Sequence, residues 1–155
     1  MSHQFDFISA TDKPALLAIT SPEWLAAAET ALNALDYKVH KINHHLEFAG
    51  RYSQVAYQLA VVEEKFGSAS AAENLTLSQL QSMPMNQRRH TTIILVGDSF
   101  ETLNALQAFQ QSVHAVIHIS EIALLAQIVQ KVVTDNDAFL KNFREAELRV
   151  AHAAE

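Results

Sequence analysis

The sequence has no cysteine and only three glycines and three prolines in 155 residues. The missing cysteine excludes disulfides, thiolate catalysis and every cysteine-ligated zinc or iron–sulfur centre. The glycines stand apart at Gly50, Gly67 and Gly97. Neither the dinucleotide fingerprint nor the phosphate loop of nucleotide hydrolases can be written from them, because both need closely spaced glycines for backbone amides to reach phosphate. Positive charge is also scarce: 11 Lys and Arg stand against 17 Asp and Glu, a net charge of −6. The only adjacent basic pair is Arg88-Arg89, so a basic face for nucleic acid is missing. The longest apolar runs fall well short of the roughly 18–20 residues of a membrane span, and Met1 to Lys13 carries no apolar core of signal-peptide length. The expectation is a soluble cytoplasmic chain that binds neither nucleic acid nor membrane.

What the chain does have is apolar bulk, 49% hydrophobic residues, enough for one sizeable core. Five short segments are dense in aliphatic residues: Ala15 to Ile19, Tyr37 to Ile42, Val55 to Val62, Thr92 to Val96 and Val113 to Ile119. Stretches of helical character separate them. Buried apolar strands alternating with amphipathic helices predict βα units around a parallel sheet. Ser21, Pro22 and Glu23 form the clearest helix start, with Leu25, Ala28, Leu32 and Leu35 on one face. Thr76-Leu77-Ser78-Gln79 matches a capping box for the third helix, which Pro84 ends or kinks. Asp98 to Glu101 offers caps for a fourth helix whose apolar side is Leu103, Leu106 and Phe109. Lys65 to Asn74 reads as a loop.

The second and fifth strands are the polar ones. Lys38, His40 and Lys41 mark the second; in the fifth, Val113, Ala115, Ile117 and Ile119 alternate with His114, Val116 and His118. Polar strands belong at sheet edges, which leaves the first, third and fourth central. The predicted architecture is therefore α/β: a flavodoxin-like three-layer sandwich with a five-stranded parallel sheet in order 2-1-3-4-5.

The last helical pattern starts near Glu121 and runs toward Glu155. In heptads, Ile122, Val129, Asn136, Phe143 and Val150 occupy one seam position, and Leu125, Val132, Phe139, Ala146 and Ala153 the other. Such a seam favours pairing with a second helix, with Asn136 fixing register. The competing reading breaks the helix after Val133, at Thr134 to Asp137, and folds the remainder back. The division adopted is an N-terminal arm over 1–12, an α/β domain over 13–133 and an extended helical segment over 134–155.

Between Lys13 and Val133 the chain resembles the receiver domain of two-component response regulators. Leu16-Leu17-Ala18-Ile19 resembles the first receiver strand and Leu35-Asp36-Tyr37-Lys38-Val39 the junction into the second. Tyr57 to Glu63 resembles the third strand with its terminal phosphoacceptor, while Ile93 to Gly97 and Ala115 to His118 resemble the last two. The resemblance implies a bacterial signalling protein whose working site holds an acidic pair, a phosphoacceptor Asp, a Ser or Thr and a Lys around a divalent metal. In this sequence Thr20 and Ser21 replace the acidic pair and Glu63 the acceptor. Gly97 takes the hydroxyl position, His118 or Ile119 takes the Lys position, and neighbouring Glu64 and Asp98 do not restore the set. The expectation is a pseudo-receiver without phosphotransfer.

Each feature carries a bland reading beside a sharp one. Glu63 is a solvated strand-end residue or a mimic of a phosphorylated acceptor. Glu63, Glu64 and Asp98 are loop and cap residues or a magnesium or acid–base cluster; His40, His44, His45, His114 and His118 are surface residues or zinc ligands. Ser99 caps a helix or acts as a nucleophile, Trp24 packs or anchors a partner, and Arg88-Arg89 is a solvated pair or binds an anion or an acidic partner. Phe5 and Phe7 cover the sheet or dock on another subunit. The function expected is a non-enzymatic signalling or scaffold module without metal or cofactor. It acts through protein contacts, with a homodimer formed by the last helix and possible signalling partners. The alternative is a small-molecule or nucleotide sensor using the cleft at the carboxyl ends of the strands.

Overall fold

The computed structural model describes residues 11–153. Most of the arm expected over 1–12, with Phe5 and Phe7, lies outside them. Five parallel strands, β1 (Lys13–Ala18), β2 (Tyr37–Lys41), β3 (Leu59–Glu63), β4 (Thr92–Gly97) and β5 (Ala115–His118), form one sheet in the order β2-β1-β3-β4-β5. The helices are α1 (Pro22–Ala34), α2 (His45–Gln54), α3 (Leu75–Gln81), α4 (Met85–Arg88), α5 (Ala105–Gln110) and α6 (Leu125–Ala153). Helices α1 and α6 cover one face, packing on Leu17, Val61, Ile94 and Ile117. Helices α2, α3 and α5 cover the other, over Leu16, Ala60, Val62 and Leu95. This is the predicted flavodoxin-like sandwich, with the polar strands at its edges. The central strands alternate between two dry layers, so each buried aliphatic contributes about 1.5–3 kcal/mol whichever way it points.

Local chemistry sets several boundaries away from the expected ones. The third strand starts at Leu59, because α2 runs to Gln54 and Val55 is its C-cap. Helix α3 is capped by Asn74, whose side chain accepts from Leu77 N, and Thr76 is buried inside the helix instead of capping it. The helix expected from Asp98 or Ser99 starts instead at Ala105, as α5, with Asn104 accepting from Gln107 N. The chain between crosses the end of the sheet as an irregular turn that buries Phe100. Helix α5 consequently turns Ala108 inward and leaves Leu103, Leu106 and Phe109 exposed, Phe109 by 81%. Val113, two residues before β5 begins, packs on the face opposite Ala115 and Ile117.

Helix α6 is unbroken for 29 residues, so the boundary drawn at 133/134 falls inside one helix. Thr134 to Asp137 continue it as exposed or half-buried polar positions. No helix among the described residues is long and apolar enough to cross a membrane.

Candidate functional site

The carboxyl edge of the sheet brings together the residues that the receiver resemblance singles out. Strands β1 and β3 are neighbours with Ala18 opposite Val62, which sets the residues after β1 beside the end of β3. Thr20 N–H donates to Glu63 Oε1 at 2.7 Å. Glu63 is therefore a buried, hydrogen-bonded carboxylate rather than a solvated strand end, because its parallel neighbour delivers an amide directly onto it. Ser21 has the extended backbone of an N-cap, with no side-chain capping bond.

Glu64 carries the site's least expected geometry. Its backbone N–H donates to Val96 O at 2.7 Å, continuing the pairing of β3 with β4 by one residue. Its side chain is 6% exposed and lies across Gly97. A Cβ placed on Gly97 would lie 2.7 Å from Glu64 Cβ and 3.1 Å from its Cδ, and would also collide with Oε1. A hydroxyl-bearing residue at position 97 and Glu64 in this rotamer thus exclude one another. Glu64 Oε1 is buried and has no hydrogen-bond partner among the described residues. The turn beneath is held by Asn74, whose Nδ2 donates to the carbonyls of Glu63 and Glu64 at 2.9 and 3.2 Å.

The remaining residues face outward. Asp98 is exposed and ion-paired with Lys65 at 3.4 Å. His118 ends β5, beside Gly97 in register. Its Nδ1 accepts from Ser120 N–H at 3.1 Å and lies 2.7 Å from Ser120 Oγ, so it caps a turn where a lysine cation would be needed. His118 N–H donates to Thr102 Oγ1, which in turn donates to Glu121. No group of three or more His, Asp or Glu among the described residues is arranged to hold a metal ion. Edge strands β2 and β5 keep the histidines apart. His40 is buried rather than superficial, with Nδ1 2.7 Å from Tyr57 Oη, and His45 binds Thr76. Burial and the Arg88 cation push the His114 pKa below its usual value of 6.5.

The expected interface along the last helix divides in two. Ile122, Leu125 and Val129 are buried in this chain's own core, and Val132 packs half-buried against it, because a 3-10 helix over Ile119–Leu124, where the long helix is expected to begin, and the first turns of α6 lie on the sheet. They are not available to a second copy. Asn136 turns toward β4, with Nδ2 3.5 Å from Thr92 Oγ1. Phe139 and Val150 are 67% and 71% exposed, and Phe143 is partly covered by the Arg89 guanidinium, 5.0 Å from its ring centroid. Trp24 is half-buried against the core. Sequence reasoning missed Asn74 and the packing of Glu64 on Gly97. The signal for the first was an Asn placed three residues before Leu77, a capping spacing.

No protein-family model and no curated protein sequence matches this chain. Solved structures do. A protein assigned as a response regulator from Chloroflexus aurantiacus aligns with a TM-score of 0.62 over 80% of this chain and 99% of its own, at 8% identity. The signal receiver domain of a protein assigned as a LuxO repressor from Vibrio parahaemolyticus aligns at 0.61, covering 86% and 98%, at 14% identity. A response regulator from Hahella chejuensis aligns at 0.51, covering 84% and 93%, at 17% identity. At such identities the likeness is one of fold, and the fold this chain shares with them is that of the response-regulator receiver domain.

Proposed function

We propose that this chain is a receiver-like signalling or scaffold module that takes no phosphoryl group and acts through protein contacts, its first partner being a second copy of itself. The observation that carries the reading is the packing of Glu64 across Gly97. The carboxylate occupies the space that an incoming phosphoryl group and its hydroxyl partner would need, while Glu63 is already engaged by Thr20 N–H. The residues directly after β5, Ile119 to Leu124, include no lysine to offset transferred charge. A ligand entering this cleft would first have to displace Glu64, so the sensor reading gains nothing from the site.

Incubation of the full chain with magnesium and acetyl phosphate, followed by intact mass, tests the first half. No added phosphoryl is expected; one acid-labile phosphoryl on Glu63 or Glu64 overturns it. Self-association is assigned to the exposed half of α6, through Phe139, Phe143 and Val150. Light scattering at high micromolar protein is expected to give a dimer, and the F139A/F143A pair a monomer with unchanged helical signal. A wild-type protein that stays monomeric refutes the dimer.

A further inference from the structure

At the opposite edge of the sheet, a cavity of about 450 Å³ opens between the amino ends of the strands and the underside of α6. Arg89 and His90, in the turn leading from α4 into β4, reach it from one side and Arg144 from the helix. Of the other cations, Lys38, Lys41, Lys65 and Lys131 each pair with a carboxylate. Among the described residues neither Arg89 nor Arg144 forms an ion pair. Arg89 is instead positioned by the ring of Phe143. Two guanidiniums share this cavity with a single carboxylate, Asp137, a local excess of positive charge in a chain of net charge −6.

We propose that this cavity binds the phosphate monoester of a small hydroxylated molecule, a nucleotide or sugar phosphate, with the phosphate held by Arg89, Arg144 and His90. The planar forks of arginine match phosphate oxygens in pairs, and two of them suit a dianion. The rest of the lining suits the organic part. Val133 and Leu140 give an apolar wall, and the amides of Gln58 and Asn136 offer donors and acceptors. The Asp137 carboxylate accepts from ligand hydroxyls. Tyr37 stays a donor, because burial and the charge of Asp137 raise its pKa. A ligand so held would bridge the β4 edge to α6 and clamp the helix on the sheet. The site is separate from the carboxyl-edge cleft and does not depend on whether the chain resists phosphorylation; it borders the face assigned to self-association, since Phe143 also holds Arg89.

The test is titration of AMP, adenosine, inorganic phosphate and succinate into the full chain, read by amide chemical shifts. AMP is expected to saturate, moving residues around Arg89, His90 and Arg144, with adenosine and succinate about tenfold weaker or more and inorganic phosphate between. Arg89→Ala and Arg144→Ala are each expected to weaken AMP by about tenfold, whereas Arg149→Ala, on the exposed helix beyond, leaves affinity within about twofold. Circular dichroism verifies that each variant is folded. Absence of saturable AMP shifts, equal loss in Arg149→Ala, equal binding of succinate, or shifts centred on Gly97 would each overturn the assignment.

Discussion

Replacing Gly97 by Ala adds one methyl group and tests whether Glu64 holds this residue small. The backbone at Gly97 lies in strand β4, where any residue is tolerated, so the penalty is steric. The new Cβ would meet Glu64 Cβ at 2.7 Å, about 1 Å inside ordinary carbon contact. Moving a carboxylate end is cheap, but moving Cβ requires the turn after β3 to shift against the two bonds from Asn74. Overpacking of this kind costs about 1–3 kcal/mol, which at about 2–4 °C per kcal/mol lowers the melting temperature by several degrees. The same substitution is then measured in two further backgrounds by urea denaturation. With Ala at position 64 the Cβ remains and most of the cost persists; with Gly there the cost falls to near zero. A coupling of about 1–2 kcal/mol between positions 64 and 97 follows in the glycine cycle. An equal cost of G97A in all three backgrounds would show that Glu64 is not the cause.

Asn74→Ala removes a helix cap and leaves the Glu63 and Glu64 carbonyls without its amide; a loss of about 2–3 kcal/mol in urea denaturation is expected, and a loss below about 0.5 kcal/mol would contradict its structural role. His114 accepts from Ile93 N–H through Nδ1 and so must be neutral when folded. Its folded pKa lies below the unfolded 6.5, so the unfolded state binds the extra proton first as pH falls. Its contribution is complete above the unfolded value and is lost as pH drops below 6.5, which His114→Gln should flatten in a denaturation series from neutral to mildly acidic pH. An unchanged slope in that variant would assign the dependence to other groups.

The layers and strand order are legible because they rest on period and edge polarity. Buried β3 and β4 read as unbroken aliphatic runs, while Lys38, His40 and Lys41 mark the edge strand β2. Caps are harder, since several side chains near a helix start can serve and packing decides among them. Thr76 has the capping spacing, yet it is buried and Asn74 does the capping. Leu103, Leu106 and Phe109 carry a helical stripe, but the long turn around Phe100 rotates α5 so that Ala108 meets the core. At the carboxyl edge the residue types were readable and their relations were not. Only parallel register brings Thr20 N–H to Glu63, and only the extra step of pairing at Glu64 places its side chain on Gly97. The seam of α6 illustrates the same limit: a stripe does not say whether it faces its own sheet or another molecule.

The continuity of α6 has a consequence for how its exposed half is ordered. Starting a helix in isolation carries an initiation factor of about 10⁻³, on the order of 4 kcal/mol. Residues from Thr134 onward do not meet that barrier, because the turns from Leu125 to Val133, fixed on the sheet, serve as their nucleus. They only propagate, each adding a bond at near-neutral free energy. The docking proposed on Phe139 and Phe143 would therefore meet a surface already in helical register.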